Sequence, residues 1–210
     1  MTSIPKSGYS YPNHAARILL LELENLVGKN GVSALLNSAR LEAWITALPA
    51  DDGERGVDFA EFSALLAALD DLYGPRGGRG LARRAGWAAF PQLVARMDAL
   101  KPLSDLPTRP IPAAEKLHLA LQALADAFNQ ASDQQCTVSE DGEAFAFRIQ
   151  RCPACWGRKV DDGPACAAVA GLLDECVHWL FGGEPTRLEE TECLAHGGSA
   201  CSFRLPKPAA

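Results

Sequence analysis

CAAVAGLLDECVHWLFGGEPTRLEETECLAHGGSACSF, residues 166–203, changes its periodicity half-way along. From about Pro164 to Phe181 it is a helical run that carries Cys166 and Gly171. From Thr186 to Leu194 and from Cys201 to Leu205 it reads as two strands, with the turn formers His196-Gly197-Gly198-Ser199 between them. A hairpin there places Cys193 and Cys201 side by side, and the preceding helix can add Cys166. Glu190 stands three residues before Cys193. Three thiols and a carboxylate at these spacings point to a closed tetrahedral zinc site of Cys166, Glu190, Cys193 and Cys201. Glu189 and Glu192 are neighbours, and the spacing to Cys193 favours Glu190. Four protein ligands leave no place for water, so such a zinc is structural and clamps the helix to the hairpin. His196 reads as a polar turn residue, with a substitute ligand role as the alternative.

Working back toward the N-terminus, Gln135–Val138 and Ala144–Ile149 read as two more strands, joined through Glu140-Asp141-Gly142. Before them, 114–130 is an amphipathic helix with Leu117, Leu121, Leu124 and Phe128 on one face. Lys101–Ala113, rich in proline, is the expected linker. The first hundred residues are helical in pattern. A helix over 12–27 stops at Gly28, and a second runs from about Gly31 to Ile45. A third starts at Asp58, where Glu61 stands at capping-box spacing. Gly74-Pro75-Arg76-Gly77-Gly78 breaks the run, and 79–99 resumes it with Pro91 as a kink or split. The expected fold class is α+β: a helical N-terminal half, then a four-stranded antiparallel sheet packed on helices. The expected division is a helical region over 1–105 and a small-molecule-binding α+β domain with the zinc site over 106–210, able to pack as one unit.

A chain of 210 residues with 48% hydrophobic content can bury a sizeable core. Its net charge of −6 argues against a nucleic-acid binder working through a basic surface. Arg76, Arg79, Arg83 and Arg84 read as a solvated helix start. The N-terminal MTSIPKSGYSYP has no apolar core of a secretion signal, and no apolar run reaches the roughly 20 residues of a membrane span. A cytoplasmic location is expected, and there the seven cysteines read as metal ligands or redox groups before disulfides. Cys136 and Cys176 stand outside the clusters and read as small buried apolar groups.

The pattern C-x4-G followed by E-x2-C-x7-C-x-F, together with CPAC at Cys152–Cys155, resembles the C-terminal signature of the 4-vinyl-reductase-type, or hydrocarbon-binding, small-molecule-binding domain family. The resemblance covers about residues 110–206, and the opening YSYPNHAARILLLELENLVGKNGVSALL resembles the N-terminal part of longer stand-alone members. That family includes sensor domains of phenol- and aromatic-responsive transcription activators and proteins associated with bacteriochlorophyll synthesis. The resemblance implies a fold similar to TRAPP-type subunits. It also implies that Cys166, Glu190, Cys193 and Cys201 hold structural zinc. In the sensor branch a histidine and a tryptophan donor bind phenols, which suggests that role for His118.

An apolar pocket is expected between sheet and helices, with His118, Leu121, Phe145, Phe147, Trp156 and Trp179 as candidate lining groups. The alternative for His118 and both tryptophans is ordinary core packing. Cys152 and Cys155 form a possible second thiol site, open between a structural or pocket-lining role, a metal or tetrapyrrole contact and a redox couple. Trp156 stands where a haem-attachment motif has histidine. The sequence contains no GxGxxG, P-loop, HExxH or nucleophile elbow, so the weight falls on a non-enzymatic role with no catalytic residues. Three functions follow. The first is a zinc-stabilised protein that binds or senses a small aromatic, hydrocarbon or tetrapyrrole ligand. The second is a bacteriochlorophyll-synthesis factor that carries a pigment precursor or joins a vinyl reduction. The third is a dimeric interaction module, and a homodimer is the expected assembly.

Overall fold

Asp58 fixes the start of the longest helix by accepting the Ala60 N–H at 2.8 Å, while Glu61 Oε2 accepts the Asp58 N–H at 2.9 Å. This reciprocal capping is the one the spacing predicts. The computed structural model describes residues 4–183 and 187–208. Thr186, where the third expected strand begins, lies outside the described residues.

Helix α1 (Asn13–Ala39) is interrupted at Gly28, where φ is 73° and ψ 168°. That conformation suits glycine and separates the two expected helices. The second segment ends at Ala39, earlier than the expected Ile45, because Arg40 turns left-handed at φ 60° and only the short α2 (Ala43–Thr46) follows. Strands β1 (Ser10–Tyr11) and β2 (Val57–Asp58) pair antiparallel beside the entry to α3 (Phe59–Arg96). Helix α3 breaks at Gly74, φ 73°, and resumes at once with Pro75, whose missing N–H is an orphan at a helix start anyway. Pro91 neither ends nor splits the second segment.

Lys101–Ala113 is no free linker. It folds as 3-10 turns over Asp98–Leu103 and Leu106–Thr108, anchored by the buried Leu100, Leu103 and Leu106. Its prolines forbid a long helix, but its leucines dock on the core. Helix α4 (Ala113–Ala131) follows, then β3 (Cys136–Asp141) and β4 (Ala144–Ile149). The hairpin between them pairs Asp141 with Ala144, with Gly142 at φ 49° in the turn. Helix α5 (Ala167–Phe181), β5 (Glu189–Glu192) and β6 (Cys201–Pro206) complete the chain.

The four-stranded sheet has the order β3-β4-β6-β5 and is antiparallel throughout. It packs on helices, giving the expected α+β fold. The register places Phe145, Phe147 and Ile149 opposite Leu205, Phe203 and Cys201. Side chains alternate between faces along a strand, so these six share one face, and all six are buried. One end of that apolar row is therefore Cys201.

Candidate metal centre and adjoining cavity

The sulfurs of Cys152, Cys155, Cys166, Cys193 and Cys201 converge with the carboxylate of Glu190 at the end of this row. Cys152 and Cys155 come from the loop after β4. Cys166 is the residue before the first turn of α5, Glu190 is on β5, Cys193 follows that strand, and Cys201 opens β6. Cys166 is the hub. Its Sγ lies 3.5 Å from Cys152, 3.4 Å from Cys201 and 3.9 Å from Cys193. Cys155 Sγ lies 3.4 Å from Cys201. Thiolates about 2.3 Å from a tetrahedral zinc stand about 3.8 Å apart, so these separations suit ligation.

Glu190 Oε2 accepts the Cys166 N–H at 3.0 Å, which fixes the carboxylate against the start of α5. Its other oxygen, Oε1, is buried without a partner. An orphaned carboxylate oxygen beside buried thiols is what a missing cation leaves behind. Burial, and then the neighbouring Cys193, push the Glu190 carboxyl up to about 9, so it takes a proton where it has no metal. The donor set thus fits a thiophilic divalent ion.

The expected ligands Cys166, Glu190, Cys193 and Cys201 are brought within ligating distance of one another, and so are Cys152, Cys155, Cys166 and Cys201. The possible second thiol site is therefore part of the same cluster. His196 is exposed and donates from Nδ1 to the Val160 carbonyl at 2.9 Å, apart from the sulfurs. The loop that carries Cys152 and Cys155 is tied to α3 by two ion pairs. Arg158 meets Asp70 at 2.5 Å and Arg79 meets Asp162 at 2.5 Å. The arginine-rich segment is in this respect paired rather than a free basic patch.

A narrow cavity of about 50 Å3 lies between this loop, the sheet and α1, α3 and α5. Pro153 and Ala154, the residues between the two loop cysteines, form part of its wall. Its polar edge is Tyr11, Gln134 and Cys136. Burial, then Cys136 and Cys152, hold the Tyr11 hydroxyl far above its ordinary range, so it stays a neutral donor.

Of the six candidate lining groups, Phe147 borders this cavity. His118 is exposed on α4 with its ring 5.3 Å from Phe145. Leu121 is fully buried in the core, and Phe145 packs under His118 and Lys207. Trp156 packs edge-on against Tyr9, and Trp179 donates Nε1–H to the Leu103 carbonyl at 3.3 Å. Cys136 and Cys176 are buried as expected, and burial pushes Cys176 up to about 12. Tyr11 and Gln134 carried no signal in the sequence, because their place at the cavity comes from a two-residue strand and a loop end.

No helix among the described residues is long and apolar enough to cross a membrane. No protein of curated function matches this sequence. Among solved structures, the fold is similar to a variant of Tt H-NOX, with TM-score 0.57 and 15% identity over 94% of this chain and 95% of that one. It is also similar to the phenol-responsive sensory domain of the transcription activator PoxR with phenol, with TM-score 0.51 and 18% identity over 73% and 77%. An H-NOX protein from S. oneidensis in the Fe(II)NO ligation state gives TM-score 0.53 and 15% identity over 92% and 99%. These identities establish the fold. The model of the 4-vinyl-reductase domain matches residues 145–207, a span that contains Cys152, Cys155, Cys166, Glu190, Cys193 and Cys201. Residues 145–207 of this chain belong to the 4-vinyl-reductase domain family.

Proposed function

We propose that this protein is a small-molecule sensing domain that takes a small aromatic ligand with one polar group into the cavity beside its cysteine centre. The observation that carries this reading is the cavity itself. Its walls are apolar, its edge offers Tyr11 and Gln134, and Pro153–Ala154 of the cysteine loop closes one side. A few polar groups in an apolar pocket orient a ligand that burial alone would hold in any pose. Phenol is the ligand of one protein with this fold. The centre holds zinc in a structural role, which keeps the loop wall in place.

The size favours a phenol over a tetrapyrrole. At about 50 Å3 the cavity is smaller than the roughly 150 Å3 that takes benzene, so it must dilate even for one ring. Dilation against the cysteine loop is a route by which occupancy reaches the surface of the domain.

Calorimetric titration of the purified protein with phenol, catechol and 4-methylphenol tests the reading. Saturable binding that Ala89→Leu abolishes, with metal content unchanged, is expected, since Ala89 lines the cavity. A ligand present at about 100 times its Kd also raises stability by about 2.7 kcal/mol. No heat from any of the three compounds, and no shift in unfolding, would overturn it.

A further inference from the structure

We infer that the cysteine centre is binuclear, with Cys166 and Cys201 each bridging two divalent metal ions. The inference rests on the reading that this centre holds metal. It adds Cys152 and Cys155 as the terminal ligands of a second ion.

The donor count carries it. Two groups of four ligand atoms are within reach of one another, Cys152, Cys155, Cys166 and Cys201 in one and Cys166, Glu190, Cys193 and Cys201 in the other. A single tetrahedral ion uses four of the six donors and leaves two surplus. Two tetrahedral ions need eight positions, and six donors fill eight positions when two of them are shared. The two shared residues are Cys166 and Cys201, and their sulfurs stand 3.4 Å apart at the middle of the cluster. The terminal sulfurs flank them. Cys152 is 3.5 Å from Cys166 and Cys155 is 3.4 Å from Cys201 on one side, and Cys193 is 3.9 Å from Cys166 on the other.

Charge points the same way. Five thiolates and a carboxylate carry six negative charges in a site where all five cysteines are buried. The nearby arginine of the loop, Arg158, is committed to Asp70. One divalent ion leaves four charges unbalanced and two ions leave two, and unbalanced buried charge is costly. The placement of Cys152 and Cys155 also differs from that of an isolated redox pair, because each sulfur packs against one of the two shared thiols. Thiolate ligands and tetrahedral positions select zinc or cadmium among divalent ions.

Native mass spectrometry of the protein purified under reducing conditions, with elemental analysis of the same sample, reads the stoichiometry. Two zinc ions per chain are expected, falling to one in Cys152→Ser/Cys155→Ser with the far-ultraviolet dichroism retained. In the wild-type protein loaded with cadmium-113, two cadmium resonances with mutual scalar coupling through the shared sulfurs are expected. That measurement needs no variant, so a misfolded double mutant leaves the inference testable. One zinc in the wild type, or two cadmium signals without coupling, overturns the binuclear centre while leaving a single structural zinc. Iron with inorganic sulfide overturns both, and so does a metal-free protein.

Discussion

Gly86 on α3 and Gly171 on α5 let the two helices touch backbone to backbone. A Cβ at Gly86 would stand 1.9 Å from the Ala168 carbonyl oxygen, and one at Gly171 would stand 1.9 Å from the Arg83 carbonyl oxygen. The contact is reciprocal and admits no side chain on either partner. It holds the N-terminal helix α3 against the helix that begins at the metal ligand Cys166.

Gly171→Ala should therefore lower stability, although alanine is the better helix former. The helical preference favours alanine by about 1 kcal/mol. Forcing a methyl group into a closed contact costs about 1–3 kcal/mol, more when backbone must move. Here backbone is what the methyl meets. The expected result is a melting temperature lower by several degrees in differential scanning calorimetry. An unchanged or raised midpoint would mean that the two helices separate freely.

Asp70 and Arg158 link α3 to the cysteine loop through a pair whose side chains are 16% and 7% exposed. Burial raises the Asp70 carboxyl above its ordinary value, and the Arg158 charge partly offsets that rise. Asp70→Asn leaves the guanidinium buried without its counter-charge, which costs about 3–5 kcal/mol for a buried pair. Urea denaturation should show a midpoint shifted well below wild type. The double variant Asp70→Asn/Arg158→Met should recover part of that loss, and additive losses would show that the two residues do not act together.

Much of this architecture was legible in the sequence because its signals were local. The Asp58–Glu61 spacing, the turn at Gly142 and the leucine and phenylalanine periodicity of α3 and α4 each specify a conformation within a few residues. The cluster of Cys166, Glu190, Cys193 and Cys201 was legible as spacing on a helix and a hairpin. What was not legible depends on distant chain segments meeting. That Cys152 and Cys155 join the same cluster follows from the loop folding back under α5, and the pair alone fits several chemistries. The cavity is harder still. Periodicity marks Leu121 and Phe147 as buried alike, but only packing decides that Phe147 borders a void and Leu121 does not. The early end of α1 has no glycine to announce it, since Arg40 takes the left-handed position itself.

Acid should unfold the protein partly through Asp58. Burial raises its carboxyl, but hydrogen bonds from the Ser7 and Ala60 N–H groups, the Ser7 hydroxyl and the Gly8 N–H outweigh that and hold it below 3.8. A lowered folded value means the native state releases this proton more readily than the unfolded chain. The stabilisation is complete above pH 3.8 and is lost as pH falls through the lower folded value. Asp58→Asn keeps a capping oxygen without a titrating group, so its stability near pH 7 should stay close to wild type while its loss below pH 4 becomes shallower. Asp58→Ala should lose about 1 kcal/mol at every pH. Parallel acid titrations of the three proteins by circular dichroism check this, and identical slopes for wild type and Asp58→Asn would remove Asp58 from the acid transition.

Tyr11 and His118 offer two different sites for a phenolic ligand, and paired variants separate them. Tyr11 lies at the cavity edge, 7% exposed, with its ring stacked on Phe128 at 6.2 Å between centroids. Its hydroxyl is held neutral by burial and so remains a donor at any pH the fold survives. His118 is exposed on α4 and faces Phe145 outside the cavity lining. Tyr11→Phe keeps the ring and removes the donor, which at about 1.4 kcal/mol for one hydrogen bond is about a tenfold rise in the Kd for phenol. His118→Ala should leave that Kd unchanged. If the histidine variant weakens binding and the tyrosine variant does not, the ligand sits on the His118–Phe145 face and the cavity beside the cysteine loop is packing space alone.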